Sequence, residues 1–126
     1  MVLCDTNIII ELLKGNVKVI NDIEKIGLDN IGITAITEME LYFGAFNKSE
    51  LKFIKKHLQG IPSYHIHNDI SIMAVSLTEQ YSKSHKLSIP DALIAATAII
   101  NNFELFTLNI KDFKYIPNIK LYKKLQ

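Results

Sequence analysis

Arginine is absent from this chain, so all 14 of its basic residues are lysines. Without a guanidinium fork no side chain grips a phosphate in a bidentate way, and anion contacts fall to ammonium groups and backbone amides. A single cysteine, Cys4, excludes an intramolecular disulfide and a thiolate metal cluster, as expected of a protein in a reducing cytoplasm. Cys4 itself reads as a small buried hydrophobe. Charge of one sign is also missing. The lysines are offset by 13 acidic residues to a net +1, so no uniform field draws the chain onto a polyanion, and any such contact has to come from a local patch. Long hydrophobic runs are lacking: Ala92 to Ile100, the most apolar stretch, falls well short of the ~20 residues that span a bilayer. The start, Met1-Val2-Leu3-Cys4-Asp5, has no basic region followed by a long apolar segment, so neither export nor membrane association is expected. Repeats, low-complexity segments and Gly/Ser linkers do not occur, and 126 residues suit one domain over 1–126.

What is present is the balance of a folded protein, 48% hydrophobic and 21% charged, arranged as alternating strands and helices. Val2 to Asp5 predicts a short buried strand and Asn7 to Lys14 a helix stopped by Gly15. Val17, Ile20, Ile23 and Ile26 form an apolar stripe on a second helix that ends at Gly27. Ile31 to Ile33 reads as a strand, and Thr34 caps a helix running from Ala35 to about Phe46. Ser49 to Leu58 is another helix, Tyr64 to His67 alternates like a strand, and Asn68-Asp69 caps a long helix reaching about Lys86. Pro90 suits the first turn of a nearly all-apolar, buried helix from Asp91 to about Asn102. Glu104 to Thr107 and Ile119 to Tyr122 complete the strands. The pattern predicts an α/β fold: a three-layer sandwich with a central, mainly parallel sheet of four to five short strands flanked by helices.

In such a sheet, ligands bind beyond the carboxyl ends of the strands. Asp5 ends the first strand, and Asn109 and Asp112 follow the strand that ends at Thr107. Crossover helices begin at that same edge, which adds Asp91 from a first helical turn and Glu40 from a second. Several carboxylates distant in sequence therefore meet at one rim, and like charges in a cleft are costly unless a cation neutralises them. With only oxygen donors the site favours magnesium or manganese over zinc, and such a cation points to phosphate chemistry.

Bland explanations stand beside this one. Asp91 after Pro90 also suits an N-terminal helix charge worth ~0.3 to 1 kcal/mol, and Asp5-Thr6-Asn7 suits a helix cap. Glu38 and Glu40 flank the apolar stripe of their helix alike, and helical spacing does not choose between them. His65 and His67 share a strand face as two metal ligands would, but no third ligand accompanies them. Lys48, Lys52, Lys55 and Lys56 form a helical stripe, and Lys120, Lys123 and Lys124 a basic tail; each is a phosphate contact or simply a solvated face. Phe43 and Phe46 beside Phe53 and Ile54 are core or interface.

The ordered set of segments carries more than each alone. The first strand ends in Asp5-Thr6-Asn7, then come Thr37-Glu38-Met39-Glu40-Leu41-Tyr42-Phe43-Gly44, Pro90-Asp91-Ala92-Leu93-Ile94-Ala95-Ala96-Thr97-Ala98, and Thr107-Leu108-Asn109-Ile110-Lys111-Asp112-Phe113. Together they resemble PIN-domain proteins of the VapC toxin type, in order and spacing over nearly the whole chain, and Ile116-Pro117-Asn118-Ile119 resembles that family's final turn. The resemblance implies a principal acidic site of Asp5, Glu40 and Asp91, and it is the motif that selects Glu40 over Glu38. It places Asn109 at the fourth acidic region, with Asp112 beside it as a ligand directly or through water, and implies that Thr6 and Asn7 hold the first turn and orient Asp5. Asp5, Glu40, Asp91 and Asp112 would then be the ligands of Mg2+ or Mn2+.

That family hydrolyses RNA phosphodiesters with metal-activated water. Its members pair with a small antitoxin that blocks the acidic cleft, often through a basic side chain, and many form homodimers. Two rivals share features of the sequence. Haloacid-dehalogenase-type phosphatases also begin with a strand ending in Asp, but they place a second Asp where Asn7 stands here. A catalytically inactive module of the same fold is the other.

Overall fold

The computed structural model describes residues 1–123, so Lys124 of the basic tail lies outside the described residues. Its strands are β1 (Val2–Cys4), β2 (Ile31–Thr34), β3 (Ser63–Tyr64), β4 (Glu104–Phe106) and β5 (Lys120–Leu121). The helices are α1 (Thr6–Leu13), α2 (Val17–Ile26), α3 (Ala35–Phe43), α4 (Lys48–Leu58), α5 (Asn68–Tyr81) and α6 (Ile89–Asn101). Among the described residues the strands form one sheet in the order β3-β2-β1-β4-β5. Every neighbouring pair is parallel. The expected α/β sandwich is the observed one.

Successive strand residues point to opposite faces, and this divides the core in two. Leu3 and Leu105 face α5 and α6, where Ile70, Ala74, Leu77, Ile94 and Ala95 are buried with them. Val2, Cys4 and Phe106 face the other way, onto Ile8, Ile9, Val19, Ile23, Leu41 and Ile54 of the first four helices. Gly15 and Gly27 end α1 and α2 at φ +81° and +93°, conformations in which a Cβ is strained.

Several boundaries differ from the sequence reading. The third strand is Ser63–Tyr64 and stops before His65 and His67. Its partner β2 ends at Thr34, paired with Tyr64, because the chain turns there into α3 and leaves nothing further to pair with. Helix α3 ends at Phe43, with the Gly44 N–H bonded to the carbonyls of Glu40 and Tyr42, and Asn47 then caps α4. Helix α5 ends at Tyr81 rather than near Lys86, whose φ of +56° cannot continue a right-handed helix. His67, not Asn68 or Asp69, holds its N-cap position, and no side chain bonds there.

Candidate functional site

β1 lies at the centre of the sheet, so the residue after it stands in the middle of the carboxyl edge. That residue is Asp5. It caps α1 by accepting from the Thr6 N–H at 2.8 Å, and its second carboxylate oxygen accepts from the Thr107 hydroxyl at 2.8 Å. Cys4 pairs with Phe106 across β1 and β4, which sets Asp5 and Thr107 side by side. The carboxylate is only 5% exposed. Burial pushes its pKa up, the bonds from Thr107 and Thr6 pull it down, and the charges of Glu40 and Asp112 raise it again, for a net upward shift.

The same network continues outward. Thr107 Oγ1 accepts the Asn109 N–H at 3.0 Å, and Asn7 Oδ1 accepts the Leu108 N–H at 3.2 Å. Asn7 thus ties α1 to the turn after β4. On the α3 side the Thr6 hydroxyl donates to Glu40 Oε1 at 2.7 Å, and with its one proton committed it accepts from the buried Thr37 hydroxyl at 2.8 Å. Of the two glutamates, Glu40 meets Thr6, whereas Glu38 accepts from the Tyr42 hydroxyl at 2.9 Å.

Asp91 sits in the first turn of α6, where the Ser88 hydroxyl accepts its N–H at 3.2 Å. Its carboxyl is half-buried, and its pKa is pushed up to about 6, first by burial and then by the charges of Asp5 and Asp112, with Glu40 adding a little and Ser88 opposing. Asp112 lies exposed on the 3-10 turn Ile110–Asp112, and its charge is felt by both Asp5 and Asp91. Asn109 enters through its backbone, its carbonyl accepting the Asp112 N–H at 3.0 Å.

The charges of Glu40 and Asp112 therefore act on Asp5, those of Asp5, Asp112 and Glu40 act on Asp91, and among the described residues no ion pair offsets them. Among the described residues the one ion pair is Lys14 with Glu11. Nor, among those residues, are three His, Cys, Asp or Glu groups arranged to hold a metal ion as their side chains stand. Asp5 turns its oxygens to Thr6 and Thr107, and Glu40 turns one to Thr6. A hard cation that keeps several waters and takes one or two carboxylates directly fits an all-oxygen, all-acidic donor set of this kind. The donors present suit magnesium or manganese.

Thr107 and Thr37 escaped the sequence reading, because their part depends on which strand and helix lie beside Asp5 and Thr6. His65 and His67 are exposed and lie beyond β3, so they share no strand face. The Cys4 thiol is pushed up to about 12 by burial and by Asp5, which leaves it inert. Lys48, Lys52, Lys55 and Lys56 are exposed on α4.

Comparison with known proteins gives the same outline. Ribonuclease VapC1 of Rickettsia felis (strain ATCC VR-1525 / URRWXCal2) is 32% identical over 124 residues, covering 93% of this chain and 91% of its own. Ribonuclease VapC19 of Mycobacterium tuberculosis (strain ATCC 25618 / H37Rv) is 28% identical over 128 residues, covering 95% and 98%. A toxin-antitoxin complex from Klebsiella pneumoniae contains a chain that superposes with a TM-score of 0.82 at 33% identity, over 99% of this chain and all of that one. The PIN-domain family model matches residues 2–118, from the first strand through the turn that precedes the last, and this chain belongs to the PIN-domain family.

Proposed function

We propose that the chain, acting as one domain over residues 1–126, is a magnesium- or manganese-dependent endoribonuclease and the toxin of a toxin–antitoxin pair in the cytoplasm. The observation that carries this reading is the convergence of Asp5, Glu40, Asp91 and Asp112, from four separate elements, at one sheet edge without a balancing cation. When bound there, a divalent cation supplies Lewis-acid charge and activates water toward a phosphodiester. Asp5 is the fixed member, because both of its oxygens are already held. Glu40 is positioned by Thr6, Asp91 by the start of α6, and Asp112 by the turn after β4. One of these carboxylates takes the proton of the attacking water. The relatives named ribonuclease support RNA as the substrate.

Two apolar surfaces suit the protein partners. A groove of about 690 Å³ lies between α1, α3 and α4, lined by Ile10, Leu13, Leu41, Gly44 and Phe53, with Glu40 at its side. An antitoxin segment laid in this groove would bring a basic side chain to Glu40 and close the acidic centre. The likeness to a chain of the toxin-antitoxin complex from Klebsiella pneumoniae supports such a partner. On the opposite side Ile72, Val75 and Ile89 of α5 and α6 are each about two-thirds exposed, and this face suits a second copy of the chain in a homodimer. Among the described residues no helix is long and apolar enough to cross a membrane.

Asn7 speaks against the phosphatase rival. Its amide oxygen clamps the Leu108 N–H, and no carboxyl stands there to act as a general acid. The test is incubation of the purified protein with a cellular RNA pool, with and without magnesium, and mapping of the cut ends. Cleavage is expected only with the divalent ion, and is expected to vanish in Asp5→Asn and Asp91→Asn with the fold retained. Full cleavage by a purified double variant overturns the proposal. A magnesium titration followed by thermal melting separates an inactive module from a loaded enzyme, since an ion that binds only the folded state raises the melting temperature.

A further inference from the structure

Two segments at the acidic edge are joined by an aromatic stack that the carboxylate chemistry leaves unused. The turn 82–88 leads from α5 into the start of α6, and the turn 107–119 leads out of β4. His85 of the first lies on Tyr115 of the second with ring centroids 4.0 Å apart and an interplanar angle of 15°. Tyr81 braces both, edge-on to His85 at 5.6 Å and tilted against Tyr115 at 5.1 Å. Tyr115 is half-buried, and its hydroxyl is shut from solvent with no hydrogen-bond partner. His85 is exposed, so one imidazole face is backed by a fixed ring while the residue remains open to solvent.

The stack adjoins the acidic centre. The turn 107–119 carries Asp112 as well as Tyr115, and the turn 82–88 runs into Asp91 at the start of α6; the Tyr115 phenol is pushed up by its burial and then by the charges of those two carboxylates. The same two turns carry Lys83, Lys86, Lys111 and Lys114, all exposed and, among the described residues, none in an ion pair. An acidic centre repels the phosphates of its own substrate, so a chain without arginine requires lysines beside it to hold the strand. An exposed ring on a rigid backing, flanked by free ammonium groups, is the arrangement that grips single-stranded nucleic acid, since every base offers a face to stack on.

We infer that His85, backed by Tyr115 and flanked by Lys83, Lys86, Lys111 and Lys114, is a stacking platform for a base of single-stranded RNA next to the acidic centre. The inference rests on the nuclease reading above and names where that substrate is held. His85 is a binding residue here, and its contribution is ring area rather than proton transfer. Duplex RNA offers no unstacked base, so the platform selects single strands, loops and ends.

The test measures binding of a labelled single-stranded RNA by fluorescence anisotropy, in an Asp91→Asn parent with magnesium so that the strand is held and not cut. His85→Ala is expected to weaken binding about tenfold, the size of one base stack. His85→Phe keeps a ring without a titrating nitrogen and is expected to retain the parent's affinity. Lys83→Ala with Lys86→Ala is expected to flatten the dependence of log affinity on log salt by about 1.4, two phosphate contacts' worth. Lys52→Ala with Lys55→Ala, on α4, is expected to leave affinity unchanged. A parent that binds no RNA overturns the nuclease reading and the platform together. A parent that binds but loses nothing on His85→Ala overturns the platform alone, as does equal loss in His85→Ala and His85→Phe, or an effect of the α4 pair as large as that of the Lys83/Lys86 pair.

Discussion

Helices α3 and α6 each deliver one carboxylate to the same centre, yet they are seated in opposite ways. Helix α6 is sunk in the fold, with Ala92 and every residue from Ile94 to Ala98 buried. Helix α3 buries only Thr37 and Leu41, and its last residue, Phe43, is 94% exposed. The carboxylates inherit the difference. Asp91 is held by a helix that cannot move without opening the core, and its surroundings alone lift its pKa to about 6. Glu40 is exposed, borders an open groove, and is held by one threonine hydroxyl. The sealed side sets the electrostatics of the centre, and the open side is where a partner can reach it.

The contrast is tested most severely at Asp5, which feels Glu40 on one side and acts on Asp91 on the other, through the threonine that holds it. Thr107→Ala removes the hydroxyl that satisfies buried Asp5 and receives the Asn109 N–H. Loss of such an orienting bond is expected to cut activity about 10- to 100-fold, read as initial rates at saturating magnesium. The same variant is expected to lose about 1 to 3 kcal/mol of stability in urea, because a buried acceptor is stranded.

Thr6→Val spares the Thr6 N–H that Asp5 accepts, frees Glu40 and takes the acceptor from the buried Thr37 hydroxyl, so activity is expected to fall about tenfold with a stability loss of about 1 kcal/mol. An equal loss of stability in the two threonine variants would mean that the two sides are held alike. Packing offers a direct contrast. Ala95→Leu forces volume into a fully buried position on α6 and is expected to cost about 1 to 3 kcal/mol. Phe43→Ser on α3 is expected to stay within about 0.5 kcal/mol.

The sealed side is also tested by pH. Asp91 ionises at about 6 in the fold against an ordinary 3.8, and Asp5 shifts the same way. A carboxyl raised in the fold contributes stability that is complete below its unfolded pKa and is lost as pH rises through the folded one. The metal-free protein is therefore expected to melt lower at about pH 7.5 than at about pH 5, and Asp91→Asn to shrink that gap. Magnesium is expected to restore the melting temperature at the higher pH. A flat melting profile from the parent would remove the electrostatic account of the sealed side.

Much of this was legible in the residues themselves. Alternating strands and apolar helices identified the parallel sheet, and the order of strand ends and helix starts named its acidic edge, because both follow from local periodicity and chain direction. Helix stops at Gly15 and Gly27 were equally plain, since a positive φ leaves a chemical signature. The length of β3 was not, because a strand ends where its neighbour turns away, and that neighbour lies far off in the chain. Glu40 and Glu38 were equivalent on the helical wheel; the motif chose Glu40, and in the fold α1 brings Thr6 beside it while Tyr42 takes Glu38. Thr107, Tyr115 and His85 are ordinary residues in sequence. The sequence by itself determined which elements form and which edge carries the charge; only the tertiary structure decided which hydroxyls, rings and lysines stand around that charge, since hydrogen bonds and burial depend on neighbours in space.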